Sequence, residues 1–163
     1  MKIGAALEAV AEAEAELAHA LAGIGERHRA DHDVFHTTRT LAKRERAHIN
    51  ELGPHAKRYG TSVERAQQHD PESAGPLQKV AAKGAELVGR RPEPAMLLLS
   101  DLRRVYLLAS EASINWVMLG QGAQAIKDAE LLAVVTKGHG ETLQTVKWAT
   151  YRIKSAAPQV LAT

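Results

Sequence analysis

Between Ile3 and His28 the chain sets Ile3, Leu7, Val10, Glu14, Leu17, Leu21, Ile24 and His28 at alternating steps of four and three. That spacing gathers every member on one face of an α-helix, and it is the spacing at which helices pack side by side in a bundle. The pattern recurs. Thr38, Leu41, Glu45, His48, Leu52, His55 and Tyr59 predict a second helix over about 34–59. Leu98, Leu102, Val105, Ala109, Ala112, Trp116, Leu119, Ala123 and Ile126 predict a third over about 95–127. Beside that stripe runs another at the same spacing: Ser100, Arg104, Leu107, Glu111, Ile114, Met118, Gln121 and Ala125. A fourth helix over about 129–156 follows Asp128, a natural N-cap, and carries Leu131, Leu132, Val134, Val135, Val146, Trp148 and Ile153. No stretch alternates with period two for long enough to argue a strand.

Composition points the same way. Aromatic residues are only 4% of the chain, and alanine and leucine, which lose little freedom in a helix, dominate its apolar residues. At 163 residues the chain has the length of one domain. Punctuation fixes the element ends. Gly23, Gly25 and Asp31-His32-Asp33 close the first helix near residue 30, with Asp33 placed to cap the second. Gly53-Pro54 predicts a kink or a lost last turn, and Tyr59-Gly60 a stop. Residues 60–94 are polar and rich in turn formers, with one short helix expected from Leu77 to Val88. The expectation is therefore an all-α, single-domain four-helix bundle over residues 1–163, with a long crossover between helices 2 and 3.

Several function classes fall away. With no cysteine, there is no disulfide scaffold, thiolate metal site or cysteine nucleophile. The charge of +2 is spread over short basic clusters interrupted by acids, which reads as solvated helix faces and not as a nucleic-acid surface. No apolar run approaches the length of a membrane span, and Glu8 interrupts the N-terminus before a signal core is complete. The expected setting is cytoplasmic, with neither membrane nor nucleic acid as partner. No phosphate-binding glycine loop follows a strand.

The informative residues are polar ones on apolar stripes. Glu14, Glu45, Glu111 and Glu141 each lie on or beside the face that their helix buries, 31 residues apart in the first pair and 30 in the second. His48 follows Glu45 by three residues, and Gln144 follows Glu141 by three. In this the chain resembles the ferritin-like superfamily, whose dinuclear members place one glutamate on each of two helices and Glu-x-x-His on each of the other two. The resemblance spans the whole chain. It implies Glu14 and Glu111 as single carboxylate ligands, Glu45 and His48 as the first Glu-x-x-His, and Glu141 and Gln144 at the second, where the amide replaces the imidazole. His139 would supply the missing nitrogen if Gly138-His139-Gly140 is distorted. The cofactor implied is iron or another divalent transition metal.

A competing reading has Glu14, Glu45, His48 and Glu111 neutralised by Arg104 in a metal-free polar layer. His28, His32 and His36, at four-residue steps, form a weaker chelating pattern in what reads as a turn. Two functions remain. The first is a bundle with no catalytic set that acts as a homo-oligomer or as a module for a protein partner. The alternative is a metal-binding bundle serving iron uptake or the chemistry of O2 or peroxide.

Overall fold

The computed structural model describes residues 2–68 and 93–162, and all its regular structure is helical. Four long helices, α1 (Lys2–Arg27), α2 (His32–Arg58), α4 (Pro94–Ala125) and α5 (Ala129–Leu161), are joined by a single-turn α3 (Glu64–Gln67) after α2. The short helix expected over 77–88 lies outside the described residues. Among those described, no helix is long and apolar enough to cross a membrane.

Element ends follow local chemistry. Asp31, not Asp33, caps α2, its Oδ1 accepting the Val34 N–H at 3.1 Å. Asp128 caps α5 in the same way, on the Leu131 N–H at 3.0 Å. Gly53-Pro54 does not cut off the last turn. Helix α2 runs through Pro54 to Arg58 and stops at Tyr59, and Gly60 then takes the left-handed φ of 72°. Helix α5 likewise continues past Pro158 to Leu161.

The expected inner stripes of the first three helices supply most of the core, whereas of the set expected on the fourth only Leu131 and Val135 are buried. Leu7, Val10, Leu17, Leu21 and Ile24 of α1, Leu52 of α2, and Leu102, Val105, Trp116 and Leu119 of α4 are completely buried. Each such side chain contributes about 1.5–3 kcal/mol of transfer free energy. Neighbours run antiparallel. Tyr59 at the end of α2 lies by Gly4, Ile3 lies by Gly122 near the end of α4, and Val135 lies by Gly120. Helix α1 therefore packs between α2 and α4, with α5 against α4. Helices α2 and α4 point the same way, so the chain leaves α2 at one end of the molecule and re-enters at the other.

Helices α2 and α5 meet differently, through a column of charges. Arg152 pairs with Asp31 and Asp33, Lys137 with Glu51, and Arg58 with Asp128 and Glu130. Arg44 of α2 reaches the Glu141 carbonyl at 2.6 Å, Thr145 Oγ1 at 2.8 Å and Gln144 Oε1 at 2.9 Å. This polar seam borders the site.

Candidate metal centre

Glu14, Glu45 and His48 occupy inner-stripe positions, and the antiparallel packing of α1 on α2 brings them to one level. The carboxylates are wholly buried and the imidazole is 1% exposed. One ligand atom from each lies within 4.8 Å of the other two. His48 Nδ1 stands 3.3 Å from Glu14 Oε2 and 3.1 Å from Glu45 Oε2. Donors about 2.1 Å from a shared ion, at angles of about 90–109°, lie about 3.0–3.4 Å from one another.

The remaining atoms are held from outside. Glu14 Oε1 accepts the Trp116 indole N–H at 2.5 Å and the Thr142 hydroxyl at 2.7 Å. Glu45 Oε1 accepts the Thr145 hydroxyl at 2.7 Å, with Arg44 Nη2 at 3.4 Å. His48 Nε2 meets Glu141 Oε2 at 2.6 Å. Each residue thus anchors its outward atom and turns the other inward. Glu45 Oε2 is buried without a hydrogen bond among the described residues, despite its closeness to Nδ1. An outer carboxylate on the second nitrogen of a ligand histidine, and donors on the far oxygens of ligand carboxylates, are what orient a metal's ligands.

Protonation follows from burial and proximity. Burial pushes Glu14 up to about 7, more strongly than its hydrogen bond with His48 pulls it down. Burial works on Glu45 too, but polar contacts with His48, Glu14 and Thr145 outweigh it and hold this carboxyl below its ordinary value. Burial alone would lower His48, yet Glu14, Glu45 and Glu141 around it raise it to about 10. Without an ion, the cluster is an imidazolium among carboxylates, the Glu14 side retaining a proton most readily.

The structure brings Glu14, Glu45, His48 and Glu141 together and leaves three expected ligands outside. Glu111 is exposed on α4, and Ala112 and Trp116 fill the inward side in its place. Gln144 is exposed and takes a hydrogen bond from Arg44. His139 sits in an undistorted helix and meets Ser113 Oγ at 3.1 Å. Glu141, 30% exposed, reaches His48 from the α2 side and not from the core face. Arg104 is exposed too, so the cation at the cluster is Arg44.

Trp116 was expected only as a core residue of the third helix, and neither it nor Thr142 nor Thr145 was expected at the site. Their signals are modest: a buried indole needs an acceptor, and two threonines three apart share a helix face. Their register is informative. Asp128 follows Asp31 by 97 residues, and Thr142 and Thr145 follow Glu45 and His48 by the same 97. The second pair of helices therefore carries Thr-x-x-Thr where the first carries Glu-x-x-His.

Among the described residues, His28, His32 and His36 do not converge. His28, the last member of the first stripe, meets the mostly buried Asp101 at 2.8 Å beside a bidentate Arg27, tying the end of α1 to α4. His32 and His36 meet ring edge to ring face, with centroids 6.3 Å apart. No family model, curated protein or solved structure matches the chain.

Proposed function

We propose that this is a metal-binding protein of ferritin-like, four-helix-bundle architecture that holds one divalent first-row transition ion per chain. Glu14, Glu45 and His48 are the ligands. Glu141 orients His48 from behind, while Trp116, Thr142 and Thr145 fix the carboxylates. The observation that carries this reading is the convergence of Glu14 Oε2, Glu45 Oε2 and His48 Nδ1 while each residue's other polar atom is held from outside. Two carboxylates and an imidazole suit iron, manganese or zinc. One ion follows because only one helix pair supplies ligands: Thr142, Thr145 and Trp116 line the half where a second ion would need carboxylates. The parallel course of α2 and α4, which requires a connection running the length of the molecule, supports the architecture.

One observation favours a metal-free reading, in which the chain works through its surface as an oligomer or partner-binding module. Both His48 nitrogens already face carboxylates, so a cationic imidazole neutralises the cluster without an ion. Metal content decides between them. After anaerobic loading with Fe(II), Mn(II) or Zn(II) and desalting, we expect about one equivalent per chain, lost in Glu45→Ala and kept in Glu111→Ala. About two equivalents would restore the dinuclear reading. Less than about a tenth of an equivalent with every metal would sink the proposal, and Glu45→Leu/His48→Met should then match or exceed the parent in thermal stability.

A further inference from the structure

Helix α4 carries stripes on two opposite faces, and among the described residues only one of them meets the rest of the molecule. The second stripe, Ser100 to Ala125, is exposed at all eight positions, and Leu107, Ile114 and Met118 on it are 48%, 55% and 56% exposed. Tyr106 and Val117 widen the stripe toward α5. The steps are four and three throughout, the seam spacing of a helix with a second helical partner. At 1.5 Å per residue it runs about 38 Å. Scattered exposed apolar residues need no explanation, but Leu107, Ile114 and Met118 share one face at regular spacing with Arg104 and Glu111 set among them.

We propose that this stripe is a two-fold interface at which α4 packs antiparallel against α4 of a second copy. The charges on the stripe select that occupant and direction. Arg104 and Glu111 bracket Leu107, and neither takes part in an ion pair among the described residues. Parallel pairing in register would set arginine on arginine and glutamate on glutamate. Antiparallel pairing about an axis near residue 109 sets Arg104 beside the partner's Glu111, twice by symmetry, and lays its aliphatic stem over the partner's Ile114. Leu107 then abuts the stem of the partner's Glu111. Such a seam, widened by Tyr106 and Val117, is the start of the roughly 800 Å2 per partner that a stable complex buries. The inference is independent of metal binding.

Sedimentation velocity from about 1 to 100 µM, spanning the usual range of specific association, tests it. We expect a reversible dimer. Arg104→Glu and Glu111→Arg, both on exposed positions, should each weaken it at least about tenfold, and the swapped Arg104→Glu/Glu111→Arg chain should recover to within a few-fold of the parent. A monomer throughout would overturn the proposal and leave the stripe to another occupant, residues 69–92 of the same chain included. So would a dimer indifferent to either reversal, or one that the swap fails to restore.

Discussion

Gly138 and Gly140 lie two residues apart in α5, and the intrinsic cost of glycine in a helix, about 1 kcal/mol against alanine, is the same for both. Their surroundings are not. A Cβ at Gly138 would fall 2.5 Å from Trp116 Cζ2 and 2.7 Å from Cη2, whereas one at Gly140 meets nothing within 4 Å. Gly138 is the notch into which the indole folds so that its N–H reaches Glu14. Gly138→Ala should therefore destabilise by about 1–3 kcal/mol through overpacking, and Gly140→Ala should stabilise by up to about 1 kcal/mol. Thermal unfolding of both variants reads the opposite signs. Two destabilising results would mean that Gly140 too has a packing role. From the sequence the two glycines form one odd pair flanking His139, because the partner that separates them is 22 residues away on another helix.

At the scale of elements, the caps serve twice. Asp31 begins α2 and its Oδ2 pairs with Arg152 of α5 at 2.7 Å; Asp128 begins α5 and pairs with Arg58 of α2 while accepting the Tyr59 hydroxyl at 2.5 Å. Each turn thus nails its own helix start to the opposite end of the polar seam. Asp128→Ala should cost more than a simple cap, whose loss is about 1 kcal/mol, because the Tyr59 hydroxyl loses its acceptor as well. Asp128→Asn keeps the capping oxygen but sets an amide N–H where Oδ2 accepts from Tyr59 and Arg58, so it should recover only the cap's share of the loss. Urea denaturation of the two variants measures the split, and equal losses would place the effect in the charge alone. The same seam accounts for the placement of Glu141. One residue is 100° of helix. The inward position is Thr142, so Glu141 is turned toward α2, where it meets the far side of His48.

For the whole molecule, the buried cluster makes stability depend on pH. His48 binds its proton more tightly folded, at about 10, than its ordinary 6.5 when unfolded. Its contribution is complete below about 6.5 and lost as pH rises through 10. Glu14, raised from 4.5 to about 7, acts in the same direction: its protonated folded form is favoured below 4.5, and that advantage fades as pH climbs through 7. Glu45 runs oppositely, its contribution present above 4.5 and lost as pH falls through its lowered value. The metal-free protein should thus be most stable near pH 4.5, where all three contributions are present, and lose stability first as Glu14 and then as His48 gives up its proton on the way to pH 10. Metal binding must displace the His48 proton, so affinity should rise about tenfold per pH unit per proton released. Denaturation and zinc titration from pH 5 to 9 check both slopes. A flat stability profile would mean that the cluster does not hold its proton.

What the sequence determined by itself was the periodic part: four long helices, the Asp128 cap and the stop at Tyr59-Gly60, the inner stripes of the first three helices, and Glu14, Glu45 and His48 among the residues those stripes bury. These are legible because a helix's inward face is written in its own spacing, and a polar residue on that face is visible as an exception. Tertiary structure decided the rest. Glu111 sits on a stripe as regular as its neighbour, and periodicity cannot say which of two such faces a helix turns to its own chain. Thr142, Thr145 and Trp116 joined the cluster, and Glu141 reached it from the flank, because the rotation of α5 about its axis is set by the fit of Trp116 against Gly138. That rotation minimises the free energy of packing between helices far apart in the sequence, so no single helix carries it in its own residues.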